Sequence, residues 1–286
     1  MTTPTKVALA AARSFLFVPA NRPERYAKAL ASGADAVIID LEDAVAPADK
    51  GAARAQLADG LPSLPAHDRG RVLVRINAAG TAWHDADLLL LQSLVLQGLA
   101  GVVVPKAESA DMLRHVAALL GPACAVFPLV ESGAGLAAVD ALAACAQVPR
   151  LMFGNLDFQA DLGLACGPDE AELVPVRLAL VLASRRANLA APVDGVTAAT
   201  QDLAQLKTDV ARSRRGGFGA KLCIHPAQVA AVHAELTPSA AELDWARRVQ
   251  AGFADAGGGV FSLDGRMVDA PVVRLAERLL ARATAQ

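Results

Sequence analysis

A chain of 286 residues, 54% apolar and 20% charged, has the hydrophobic content for a large core and is too apolar for a disordered segment. Its formal charge of −2 and pI near 6.2 leave no basic surplus for a phosphate backbone, which excludes nucleic-acid binding driven by counterion release. The four cysteines share no CxxC spacing and predict reduced, mostly buried thiols in the cytoplasm rather than a disulfide or zinc framework.

In chain order, residues 1–12 are mildly apolar with a single Lys6, and Arg13 interrupts them before the first strand-like run. Eight short β-rich runs follow. They are SFLFV at 14–18, AVII at 36–39, VLVRI at 72–76, GVVV at 101–104, AVFPLV at 125–130, LMF at 151–153, a weak PV at 192–193 and AKLCI at 220–224. Their spacing averages roughly 30 residues, the size of one βα repeat. Between them lie helical segments. One covers 22–32, with Pro23 near its start and Gly33 after its end. Two others begin at Ser109 and Ser132 as N-caps and run to Leu120 and Ala146, and Gly121 closes the first. The longest apolar stretch, 88–104, is broken by Gln92, Ser93, Gln97, Gly98 and Gly101, so it predicts a helix end followed by a strand, not a membrane span.

Continuous apolar strands alternating with helices predict a parallel sheet covered on both faces, and eight such units predict an α/β fold closed as a (β/α)₈ TIM barrel over 1–236. A doubly wound sheet is the alternative, without a GxGxxG after an early strand to support it. Residues 237–286 form a C-terminal extension: a helix over 240–254, a break at Gly257–Gly259, a hairpin over 260–269 and a last helix over 271–283. That appendage reads as a mobile lid or as a tail packed on the barrel or a neighbouring subunit.

Barrel enzymes carry their chemistry at the C-terminal strand ends. There the sequence places Asp40, Glu42 and Asp43, then Arg75 and Asn77, Lys106, Glu131, Asp157, Asp194 and His225. Glu131 and Asp157 stand one repeat apart and belong on adjacent strands, whose axes are ~4.8 Å apart. Two oxygen ligands without Cys or His suit Mg²⁺, and Asp40, Glu42 and Asp43 add negative charge that a dication would neutralise. The fork of Arg75 suits a substrate carboxylate, or a structural bridge to Asp40 or Glu42. His225 is a pocket-lining candidate.

Seven segments, RSFLFVPANRPER (13–25), GADAVIIDLEDAV (33–45), VRIN (74–77), VVVPKAE (102–108), PLVESGAG (128–135), FGNLDFQADLG (153–163) and KLCIHPAQV (221–229), resemble, in order, those of the citrate lyase β-subunit-like group of the aldolase/citrate lyase superfamily. The resemblance implies a Mg²⁺-dependent barrel, commonly trimeric, that makes or breaks carbon–carbon bonds in malyl-, citramalyl- or citryl-thioesters. It makes Glu131 and Asp157 the metal ligands, Arg75 the grip on the keto-acid carboxylate, and Glu42 and Asp43 partners of water around the ion. It also implies a coenzyme A-binding region at 19–28, where Arg25 and Lys28 meet phosphates, and a lid whose Asp269 is the acid/base. Ala20 stands where glycine is common, and Asn155–Leu156 replaces a more acidic or threonine-containing pair, which leaves the acyl group open. The other functions weighed are a class II aldolase of free hydroxy-oxo acids, a citrate lyase β subunit acting on an acyl-carrier-protein thioester, and a non-catalytic barrel protein. The lid sequence disfavours the first two, and the presence of Glu131, Asp157 and Arg75 the third.

Overall fold

Strand β1 (Ser14–Pro19) pairs in parallel with both β2 (Ala36–Asp40) and β8 (Ala220–Cys223), and this closes a barrel in a computed structural model that describes residues 4–284. Between them, in sequence order and parallel throughout, stand β3 (Val72–Arg75), β4 (Gly101–Val104), β5 (Ala125–Val130), β6 (Met152–Phe153) and β7 (Val193–Asp194). The predicted barrel is therefore the observed one. The interior is packed rather than hollow: Phe15, Ile38, Leu73, Val103, Phe127, Leu129, Met152, Val193 and Leu222 share one buried cluster. Phe15 and Phe127 meet edge to face, with ring centroids 5.8 Å apart. At the N-terminal end of the barrel, Arg150 is buried over the Phe15 ring and donates to Ala12 O and Ala191 O, so it ties strand starts together without serving the opposite rim.

The helices differ from the sequence expectation in detail. The segment after β1 is a 3₁₀ turn (Pro23–Arg25) followed by a short helix (Tyr26–Leu30), closed by Gly33 at φ +85°. The helix from Ser109 forms as expected, its hydroxyl capping Met112 N. The expected helix from Ser132 splits into Gly133–Ala137 and Val139–Ala143 around Ala138.

The chain divides into two compact units between His233 and Ala234. In the second, a helix (Ala240–Asp255) begins with a capping box between Ser239 and Glu242. A hairpin of β9 (Phe261–Leu263) and β10 (Arg266–Val268) turns at Asp264 and Gly265, both at positive φ, and a final helix covers Ala270–Thr284. Ala246, Val249, Val268, Val273 and Ala276 form its core. No described helix is long and apolar enough to cross a membrane.

Candidate active site

Strand register builds the C-terminal rim. Asp40 and Arg75 are direct cross-strand partners at the ends of β2 and β3, so their side chains meet by construction. Asp40 receives Arg75 Nε at 2.7 Å and Nη2 at 2.6 Å, and it also accepts the amides of Glu42 and Ala44. The carboxylate thus folds its own following turn while it aims the guanidinium. Arg75 Nη1 stands 3.1 Å from Asp43 and 3.0 Å from Glu42, and the guanidinium lies 4.9 Å over the Phe17 ring. Burial opposes the Arg75 charge, but Asp40, Glu42 and Asp43 more than restore it and hold its pKa above the ordinary value. The two-pronged face of Arg75 is therefore spent on Asp40 and one N–H of Nη1 on Asp43, which leaves one N–H on each of Nη1 and Nη2 for a ligand.

Glu131 is fixed in the same way. Val130 pairs with Phe153, so Glu131, one residue on, stands beside Gly154. A β-carbon on Gly154 would lie 2.5 Å from Glu131 Oε2 and 2.6 Å from its Cβ, so glycine is required for this carboxylate to occupy its place. Glu131 Oε1 accepts the amide of Lys106 at 2.8 Å, and Lys106 takes a left-handed φ of +44° there. A short helix (Asn155–Leu162) begins directly after Gly154 and carries Asp157 in its first turn. Asn155 laces this helix to the loop after β7, accepting from Val196 N and donating to Val196 O and Glu170.

These groups line one cavity of about 400 Å³ that includes Asp40, Asp43, Arg75, Glu131, Asn155 and Asp157. Its other walls are apolar: Phe17, Leu129, Leu156, Val196 and Leu222 among them. Burial, together with the charge of Asp157, pushes the Glu131 carboxyl up to about 7 despite the Lys106 amide. Burial likewise pushes Glu42 to about 8, against the pull of Arg75. Glu42 Oε2 is buried and, although close to Arg75, has no hydrogen-bond donor. Among the described lining residues the carboxylates of Asp40, Asp43, Glu131 and Asp157 outnumber the Arg75 cation, and the unsatisfied Glu42 Oε2 lies against the same guanidinium, an excess of acceptors that fits a hard divalent cation. Among the described residues no three His, Cys, Asp or Glu side chains form a ready-made cage.

A second cavity of about 440 Å³ adjoins the first and shares Phe17, Pro19 and Ile224 with it. Arg25, Lys28 and His225, three of the residues singled out in the sequence, line it together with Leu16, Val18 and Pro226. Arg25 and Lys28 are exposed at its mouth, and His225 Nδ1 accepts Ala227 N. Asp194, by contrast, is spent on structure: it is buried among Arg177, Ser213 and Lys221, away from the cavity lining. Asp269 lies in the second unit, where its carboxylate accepts Val272 N at 3.4 Å at the start of the last helix. Gly154, the strained Lys106 and the bracing role of Asn155 went unread in the sequence. The Gly–Asn pair between strand six and its helix is the signal that could have pointed to two of them.

The raised carboxyls give a signed pH expectation. Their unfolded-state pKa is near the ordinary 4.5 of a glutamate, so the unfolded chain ionises first and metal-free stability falls as pH rises from there through about 7 and 8. The gain in Tm on adding Mg²⁺ should therefore be larger at pH 8.5 than at pH 6, with protons released on binding near pH 7. Equal gains at both pH values would show that the cation does not bind at these groups.

Comparison with known proteins agrees with this fold. Residues 13–226 match the HpcH/HpaI aldolase/citrate lyase family model. A citrate lyase subunit beta-like protein of Deinococcus radiodurans is 37% identical over 94% of this chain and 96% of its own length. A (3S)-malyl-CoA thioesterase of Cereibacter sphaeroides is 34% identical over 96% and 95%. Among solved structures, CitE from Mycobacterium tuberculosis in complex with magnesium, acetoacetate and coenzyme A superposes with a TM-score of 0.84 at 38% identity, covering 96% of this chain and 99% of that one. A closed barrel, an acid-lined rim and a family match that spans all eight strands converge: this chain belongs to the HpcH/HpaI aldolase/citrate lyase family.

Proposed function

We propose that the chain is a Mg²⁺-dependent carbon–carbon lyase acting on a β-hydroxyacyl-CoA of the malyl-, citramalyl- or citryl-CoA type, giving a keto acid and an acyl-CoA. The observation that carries this is the junction of two unlike cavities, one acidic and one with basic residues at its mouth, joined at Phe17, Pro19 and Ile224. A long substrate with a hydroxy-acid head and a phosphate-bearing tail matches that pair. A free hydroxy-oxo acid would use only the first cavity, which disfavours the class II aldolase alternative.

Glu131 and Asp157 would hold Mg²⁺, which when bound supplies Lewis-acid charge to substrate oxygens. The remaining steps belong to the chain. Arg75, aimed by Asp40, gives its free Nη2 hydrogen to the keto-acid carboxylate and so aligns the breaking bond. Arg25 and Lys28 meet phosphates, and Leu16, Val18 and Pro226 exclude water from the thioester arm. On cleavage the β-hydroxyl gives its proton to solvent water, the Cα–Cβ bond breaks, and its electron pair becomes the thioester enolate. The Asp269 carboxyl then gives its proton to that carbon, and the same carboxylate removes it in condensation. The protein works as a homo-oligomer, a trimer on the family resemblance, in the cytoplasm.

Purified protein with Mg²⁺ should release glyoxylate, pyruvate or oxaloacetate from the matching thioester, read as a keto-acid hydrazone. Absence of keto acid from all three would overturn the proposal. Similarity to a malyl-CoA thioesterase favours a second reading, hydrolysis, which a thiol reagent separates because only hydrolysis frees the coenzyme A thiol.

Arg75→Lys keeps the charge but loses the planar fork that meets both oxygens of Asp40. Since a hydrogen bond to a charged group is worth about 1.5–3 kcal/mol, kcat/KM should fall roughly tenfold or more. Unchanged turnover with a lowered Tm would confine Arg75 to bracing the rim.

A further inference from the structure

The acidic turn after β2 is held from two sides. Asp40 braces it from the cavity side through the amides of Glu42 and Ala44. On the other side stands Lys50, the first residue of the helix Lys50–Ser63 and only 5% exposed. Its ammonium donates to Leu41 O at 2.7 Å and to Glu42 O at 2.6 Å, and lies 5.4 Å from the centroid of Trp83. Trp83 closes the loop after β3, immediately before the helix His84–Leu96. That helix sends Asp87 back to Asn77, two residues beyond Arg75. One buried cation thus touches the loops that follow both strands of the Asp40–Arg75 pair.

A lysine in such a place needs a reason. Burial works against its charge and lowers its pKa, while Asp40, Glu42, Asp43 and Asp87 oppose that loss. A methionine of similar length would fill the space without that desolvation, but it could not satisfy two carbonyls. Glu42 and Asp43 owe their approach to Arg75 Nη1 to the path of this turn.

We propose that Lys50 is a positioning residue for the lyase: its ammonium clamps the 41–45 turn, which sets Glu42 and Asp43 against Arg75 and so fixes the guanidinium that meets the substrate carboxylate. Lys50 itself touches no substrate. It is absent from the lining of both cavities. The proposal rests on the lyase reading for its kinetic consequence, but its structural consequence is independent of that reading.

The test pairs the two. In Lys50→Met, amide hydrogen exchange at residues 42–45 should accelerate at least about tenfold while the β4–β6 amides keep their protection. With the same protein, kcat should fall roughly tenfold to a hundredfold, as for a lost charged hydrogen bond, with KM for the thioester within about threefold. Propylammonium should restore part of the turnover in Lys50→Ala, a response that a purely stabilising lysine would not give. If wild-type protein lacks lyase activity, the lyase reading fails and the exchange data alone decide the clamp. Should Lys50→Met not fold, Lys50→Gln, which keeps one donor and loses the charge, gives the same readouts at smaller size. Wild-type exchange at 42–45, or wild-type kcat in a folded variant without the lysine, overturns the proposal.

Discussion

Asp157→Ala should lose Mg²⁺-dependent turnover by about 10²–10⁴-fold, the several kcal/mol that a Lewis-acid cation contributes to a charged transition state. The same change removes a negative charge that raises the Glu131 carboxyl. Metal-free Asp157→Ala should therefore be at least as stable as wild type at pH 8, and the Tm gain on adding Mg²⁺ should vanish. This combination separates a ligand from a fold-maintaining residue, which would lower stability and activity together. Glu131→Gln should lose the same turnover, yet its amide would still face the Lys106 N–H, so the backbone at Lys106 keeps an acceptor. Wild-type turnover of Asp157→Ala in excess chelator would remove the metal from the proposed mechanism.

The fold was legible because barrel strands buried on both faces read as short apolar runs at a steady interval, and the interval survived even where a run was poor. Strand β7 shows the limit. It is two residues long, pairing Val193 with Met152 and Ala220, too short to carry any periodicity of its own. Its place came from the count of its neighbours. The split of the helix after Ser132 had no counterpart in the sequence, since an alanine-rich segment carries no marker at Ala138. Among site residues, those on strand ends were readable from position alone: Asp40, Arg75 and Glu131 line one cavity, with Asp157 from the helix that follows β6. What the sequence could not show was how the donors of Arg75 are divided. Register makes Asp40 its direct partner, and register is a pairing between strands, not a property of either. Lys50 was unreadable for the same reason: its carbonyl partners lie across a turn and a helix start.

Asp269→Asn should lower carbon–carbon cleavage by about 10²–10⁴-fold while thioester binding and Mg²⁺ affinity stay close to wild type. The structure supplies the control that makes this substitution informative. Asp269 accepts Val272 N at the start of the final helix, a bond that any oxygen-bearing side chain can make. Asparagine caps a helix about as well as aspartate, so helix Ala270–Thr284 and the core around Val273 and Ala276 should survive, and Tm should move by only a degree or two. Loss of turnover at constant stability then reports the missing proton and not a frayed helix. Asp269→Ala is the complementary variant, because it loses the cap as well and should be both inactive and less stable. Since Asp269 belongs to the unit that follows the barrel strands, we further propose that it serves the rim of a neighbouring subunit. Asp269→Asn and Arg75→Ala proteins, each inactive, should regain turnover when their subunits are exchanged, because some sites then combine an intact Asp269 with an intact Arg75. No recovery after proven exchange would confine Asp269 to its own barrel, and wild-type turnover in Asp269→Asn would leave it only the role of a helix cap.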